Sequence, residues 1–307
     1  MGSREATLSA ASRSATSVSA VVVSRNEGHH LRRTVHNLLA TLPSDGELVV
    51  VDDASTDGSA AFLDGPTYAA VHTLHATDRL GAARARNAGA ARSSGDVVVF
   101  CDAHIHAPMG WLHLVADPLA SPSTGAVGAA VQIMGGSATG YGLTFADATL
   151  GVRWLGRQTS APHTVPLLGG FFLTVRREVF ECCGGFDEGM AGWGCEDAEL
   201  SLRLWSLGYD CIVVPSLVVA HRFRTHLPHA LEPGGLTHNV LRLATMHFDA
   251  PALDRVVVHL AADPGFPAAV SRLLEGDAGL RRREIGARRT RDANEFFEHF
   301  AIEPFAG

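Results

Sequence analysis

The 307-residue chain contains no lysine: all 25 positions counted as Lys or Arg are arginine. That absence excludes mechanisms that need an amine side chain, among them a Walker-type phosphate loop and a Schiff-base enzyme. Cysteine is scarce and poorly spaced. The five residues Cys101, Cys182, Cys183, Cys195 and Cys211 are odd in number and contain no C-x-x-C pair. A disulfide framework or a zinc knuckle is therefore disfavoured, and a reducing compartment suits the pattern better. No apolar run approaches the roughly 20 residues of a membrane helix. Residues 1–17 are rich in Ser, Ala and Thr and lack the apolar stretch of a secretion signal. We expect them to be a disordered lead-in, and the protein to be soluble and cytoplasmic. Strong charge is missing too: a net charge of −7 gives no general reason to bind nucleic acid or an anionic membrane.

What is present has the balance of an α/β enzyme, with 46% hydrophobic residues and 32 glycines. Apolar, β-branched runs at 19–23, 48–51 and 97–101 are continuous rather than alternating, as in strands of a parallel sheet covered on both faces. Between the first two, Leu31, Val35, Leu38, Leu39 and Leu42 form a helical stripe that stops at Pro43. A further strand is expected at 68–74 and an Ala/Arg-rich helix at 81–92. This order describes a nucleotide-binding α/β half over 18–110. The second half, 111–248, is less regular. Strands are expected at 126–131 and 170–175, and a helix at 196–207 with Gly208 just past its end. Short strands are expected at 211–214 and 217–220, on either side of Pro215. Residues 222–236 are rich in Pro, Gly and His, and 249–307 read as a helical extension. There, Arg281, Arg282, Arg283, Arg288, Arg289 and Arg291 are expected on a solvated helix face.

The chemistry gathers where strands end. Asp102-Ala103-His104 follows the run at 97–101, and in an extended chain the first and third side chains share a face. A carboxylate and an imidazole placed this way suit a divalent cation such as Mn²⁺. Val218-Val219-Ala220-His221 ends another strand in a candidate third ligand. The first strand runs into Ser24-Arg25-Asn26-Glu27-Gly28, and the second into Asp52-Asp53 and then Asp57-Gly58. Ligands of open α/β sheets bind beyond such carboxyl ends, so Asp52 or Asp53 is expected at a nucleotide, whereas Asp57 reads as a turn residue. Gly81 turns the chain into a helix whose N-terminus is a natural anion site, and Arg79 and Arg86 are the favoured pyrophosphate partners. Glu196 and Asp197 open a helix, where carboxylates also serve as ordinary caps, and Trp193, between glycines, can offer an aromatic face to a sugar.

Several stretches together resemble the GT-A-fold glycosyltransferases of family 2, and more closely the catalytic domain of the polypeptide N-acetylgalactosaminyltransferases. They are VVVSRNEG, VVDDASTDGS, DRLGAARARNAG, VVVFCDAHIHAPMGWL, GGFFLTVRREVFECCGGFDEGM, GWGCEDAELSLRLWSLG, AHRFR and the PGG at 233–235. The resemblance covers 18–248 and implies a Rossmann-like, mostly parallel sheet with flanking helices in a single catalytic domain. It implies Mn²⁺ (or Mg²⁺) held by Asp102, His104 and His221 against a UDP pyrophosphate, and a mobile loop at 222–236. On this reading Ser24, Arg25, Glu27, Asp52, Asp53, Arg79, Gly81, Arg86, Asp102, Gly170, Trp193 and Arg224 contact the nucleotide sugar. The polypeptide transferases usually carry Asn where this chain has Asp197; Glu-Asp is the habit of inverting transferases, whose base is the Asp. The expectation is a metal-dependent transfer from a UDP-sugar to a peptide Ser, Thr or Cys or a small natural product, with Asp197 as base and Glu196 positioning hydroxyls. A cell-surface polysaccharide is the alternative acceptor. A sugar-nucleotide pyrophosphorylase is disfavoured by the missing lysine and Gly-rich first loop; a non-catalytic nucleotide-sugar-binding protein is the remaining rival.

Overall fold

Val21, Val50, Val99 and Phe100 have no exposed surface, because the strands that carry them are covered on both faces. Alternate residues feed two separate cores. Val21, Val49, Val98 and Phe100 join one, and Ala20, Val22, Val50 and Val99 the other. The computed structural model describes residues 17–224, 232–303 and 305. In chain order the first half holds β1 (Val18–Ser24), α1 (His29–Thr41), β2 (Glu47–Asp52), β3 (Val71–His75), α2 (Ala82–Ala91), β4 (Val97–Asp102), β5 (Ile105–His106) and α3 (Trp111–Ala120). The second holds β6 (Thr124–Ile133), β7 (Thr139–Gly140), β8 (Leu143–Phe145), β9 (Val152–Trp154), β10 (His163–Thr164), β11 (Phe172–Arg176), α4 (Arg177–Cys183), α5 (Glu196–Ser206) and β12 (Asp210–His221). Then follow α6 (Gly235–His247), α7 (Ala250–Leu260), α8 (Phe266–Glu275), α9 (Ala278–Arg288) and α10 (Ala293–His299). Residues 1–16, and 225–231 within the expected loop at 222–236, lie outside the described residues.

The main sheet runs β10-β12-β6-β11-β4-β1-β2-β3. Pairs β1–β2, β1–β4, β2–β3 and β6–β12 are parallel, and β11 is antiparallel to both β4 and β6. This is the GT-A arrangement. The carboxyl ends of β1, β2, β4 and β12 consequently fall on one edge, together with the start of β11.

Three local expectations change. Residues 66–68 form a 3₁₀ turn opened by Pro66, so β3 begins only at Val71. The two short strands around Pro215 are one strand, whose register against β6 slips between Val214 and Val218. Proline has no N–H for the ladder, and the irregularity absorbs it. The arginines of α9 and beyond do not make a solvated face. Arg282 donates to the carbonyls of Thr245 and Phe248 at 2.6 and 2.7 Å, and Arg288 to that of Cys182 at 2.7 Å. Arg289 reaches the His247 carbonyl, while Arg291 bonds Asp210 and Gly208 and lies 4.4 Å over the Trp205 ring. These carbonyls sit at the ends of α4, α5 and α6, where helices leave acceptors without partners. Arg283 alone of the six is exposed without such a clamp, Arg281 pairing with Glu284 at 3.0 Å.

Candidate active site

Asp102 is the last residue of β4 and His221 the last of β12, and a short antiparallel pairing of Ile105 with His221 brings the intervening chain alongside. One ligating atom each from Asp102, His104 and His221 lies within 4.8 Å of the others, the only such group among the described residues. Nε2 of His221 is 3.1 Å from Oδ2 of Asp102. An octahedral ion with bonds of about 2.1 Å sets its ligands roughly 3 to 4 Å apart, so the His221–Asp102 spacing matches a small divalent cation and the rest of the set needs only a slight closure to hold one. Glu27, buried at 8% exposure, takes the Nδ1 proton of His104 at 3.1 Å and leaves Nε2 as the free lone pair. Burial by itself would raise the Asp102 carboxyl. The hydrogen bond from His221, with the charges of His104 and Arg86, outweighs it and holds that group well below the usual carboxylate range.

Arg86 was expected to grip a pyrophosphate. Instead it is buried in α2, where Nη1 donates to Glu196 at 2.6 Å and Nη2 lies 3.3 Å from both Asp102 Oδ1 and the Gly170 carbonyl. It thus ties the cation carboxylate to α5. Glu27 differs in the same way: its carboxylate is engaged by His104 and by Arg224, so neither Glu27 nor Arg224 is left to a nucleotide in this arrangement. The N-terminus of α2 is not an open anion site either. Leu80 and Gly81 donate their amides to Asp53, and Ala82 donates to the Gly192 carbonyl at 2.7 Å. Gly81, at φ 83°, is required there, since a Cβ would stand 2.8 Å from that same carbonyl oxygen.

A cavity of about 450 Å³ opens beside the cation group. Arg25, Asp53, Arg79, Arg86, Gly170, Trp193, Glu196, Asp197 and Arg224 line it with the three candidate ligands; Ser24, Asp52 and Gly81 do not. Asp52 is held behind the wall by Ser55 N at 3.1 Å and His75 Nδ1 at 3.1 Å. Arg25 braces the wall by donating to the carbonyls of Asp53 and Ala54. Asp57 makes the expected turn, accepting from Ser59 and Gly28.

Asp197 lines the same cavity and is linked to the cation carboxylate through Gly170 and Arg86. Its oxygens accept from the amides of Gly170 and Ala198, each at 2.8 Å. Burial, and then the charge of Glu196, push its pKa up to about 6 despite Arg86. Such a carboxylate is well suited to accept a proton near neutral pH. Trp193 stands 46% exposed in the loop before α5. Apolar side chains complete the lining: Leu143, Leu150, Val152, Trp154, Phe171 and Phe223, the last two packed against the His221 ring at centroid distances of 5.6 and 4.5 Å. Sequence reading missed this wall, because β8 and β9 have three residues each and show no usable alternation. Backbone strain also collects here. Asn26, Ala54, Leu150 and Cys195 hold φ of 54°, 55°, 57° and 69°, a region non-glycine residues seldom occupy, and each lines or adjoins the cavity wall.

The chain matches known proteins along most of its length. Residues 19–184 match the family described as Glycosyl transferase family 2, and residues 163–230 match the N-terminal domain of galactosyltransferase. Polypeptide N-acetylgalactosaminyltransferase 11 of Xenopus tropicalis is 32% identical over 243 residues, which cover 71% of this chain and 40% of that protein. The chain therefore spans about two fifths of the length of that curated relative. Among solved structures, GalNAc-T7 with UDP, GalNAc and Mn²⁺ superposes with a TM-score of 0.76 at 22% identity, over 93% of this chain and 56% of the other. A mannosyltransferase from Pyrobaculum calidifontis, in complex with GDP-Man and Mn²⁺, gives 0.56 at 21% identity over 94% and 81%. These likenesses agree with the sheet order described above. Because its first family match spans more than half of the chain, the protein belongs to glycosyl transferase family 2.

Proposed function

We propose that this protein transfers a sugar from a UDP-sugar to a hydroxyl or thiol of a peptide or small natural product, with inversion, using Mn²⁺ or Mg²⁺. The observation that carries the reading is the meeting of Asp102, His104 and His221 in a cavity that also presents a carboxylate with a raised pKa, that of Asp197. Asp102, His104 and His221 would hold the cation, which when bound supplies positive charge against the departing diphosphate. Arg25 and Arg79 line the cavity and add guanidinium charge for the same phosphates. Arg86 and Glu27 fix the directions of Asp102 and His104. Asp197 accepts the proton of the attacking hydroxyl or thiol as the new bond to the anomeric carbon forms and the bond to the diphosphate breaks. Glu196 keeps Arg86 in place and accepts from Gly194 N, which seats the loop that carries Trp193. The apolar wall excludes water that would otherwise hydrolyse the donor. Polypeptide transferases among the relatives and the UDP complex of GalNAc-T7 support a UDP donor and a peptide acceptor.

The test is incubation with a panel of sugar nucleotides, with and without Mn²⁺, read by mass spectrometry. The expected result is slow, metal-dependent cleavage of a UDP-sugar that accelerates with an acceptor peptide. Cleavage indifferent to chelator, or no turnover of any UDP-sugar, would overturn the reading.

A further inference from the structure

The segment that leads into α5 is held by α6, a helix about forty residues further along the chain. Three consecutive polar contacts do this, and all three side chains are buried. Arg242 makes two hydrogen bonds to Asp187, at 2.6 and 2.8 Å, and His238 Nε2 lies 3.1 Å from the Gly189 carbonyl. Asn239, with no exposed surface, does most at the functional end. Its Oδ1 accepts from Ala191 N at 2.6 Å, while Nδ2 donates to the carbonyls of Ala191 at 2.9 Å and Gly194 at 2.8 Å. The side-chain amide thereby uses both of its N–H groups and one oxygen on a single four-residue loop.

That loop is part of the cavity. Its Gly192 carbonyl receives the first amide of α2, Trp193 faces the cavity, and Gly194 N bonds Glu196. The following residue, Cys195, sits at positive φ, and Glu196 and Asp197 begin the helix. A loop of glycines has little stiffness of its own. Its position must come from outside, and α2 and Asn239 grip it from two sides.

We infer that Asn239 is a positioning residue of the transfer reaction, setting where Trp193, Glu196 and Asp197 stand relative to the cation group without touching substrate. This rests on the reading of the cavity as a transferase site, but the loop's order can be measured without turnover. Asn239→Asp keeps the shape and the acceptor oxygen and sets a charged oxygen against two carbonyls. Asn239→Ser removes the two donors without adding charge, and serves if the first variant does not fold.

The experiment combines hydrogen exchange by mass spectrometry, calorimetric titration of UDP with Mn²⁺, and steady-state kinetics on the full chain. Amides of 187–197 should exchange at least about tenfold faster in the variants, with β1 and β4 unchanged. UDP affinity should stay within about twofold while kcat falls about 100-fold, the size expected when catalytic groups shift by an ångström. Unchanged exchange at 187–197, or a loss of protection spread evenly over the chain, would overturn the inference, as would failure of both variants to fold. A wild-type protein that turns over no UDP-sugar would sink the transferase reading, and the exchange data would still decide the role of Asn239.

Discussion

Glu27 decides which nitrogen of His104 faces the cavity. A hydrogen bond to a ligand's second nitrogen fixes its tautomer and raises its basicity, and losing it typically weakens metal binding 10- to 100-fold, roughly. Glu27→Gln should lower Mn²⁺ affinity by about that factor, as read by isothermal titration. The pH dependence belongs to Asp197. A base must be ionised, so with its pKa at about 6 the rate at saturating metal should fall as pH drops through that value. Glu196→Gln removes a charge that raises the Asp197 pKa, so the acid limb of residual turnover should move to lower pH. An upward or absent shift would contradict the assigned pair. Asp102 and His104 were legible as a pair, but not for the reason expected: β4 stops at Asp102 and a turn at 103–104, not an extended chain, carries His104 to the same site. The roles of Glu27 and Arg86 were not legible, since their partners are 77 and 110 residues away.

Elements rather than single contacts explain how α5 is anchored. Glu199, Arg203 and His247 form a fully buried set, with Arg203 bonding Glu199 at 2.7 and 2.9 Å and His247 meeting the same carboxylate at 3.0 Å. Breaking one side of a buried pair leaves a bare charge and costs about 3–5 kcal/mol. Glu199→Ala should lose about that much in chemical denaturation, well beyond the ±0.5 kcal/mol or so of a surface change. Strands β1, β2 and β4 were readable because cover on both faces makes their sequences continuously apolar. The arginines of α9 were misread because their acceptors are the last carbonyls of helices far away in the chain, which no local pattern reveals.

At the scale of the whole molecule, the parallel character of the first-half sheet was legible from its continuous apolar runs, whereas the order β4-β1-β2-β3 was not read from the sequence. The insertion of β11 between β4 and β6 was not legible either, because an antiparallel neighbour brings no helix to mark it. The extension joins the main core: Trp205 meets Phe296 and Phe300, and Phe248 meets Phe297, at centroid distances of 5.0 to 5.7 Å. No helix among the described residues is long and apolar enough to cross a membrane.

The left-handed backbone at Asn26, Ala54, Leu150 and Cys195 has a consequence for engineering. A side chain in that region costs about 1–2 kcal/mol that glycine would not. Ala54→Gly should therefore raise Tm by about 2 °C, read by scanning calorimetry. A protein tuned for robustness alone would carry glycine at such points, and the rim of the cavity would become its loosest part. Gains in heat tolerance made there should come with a slower catalyst, whereas the same gains sought in α7–α10 should leave turnover as it is.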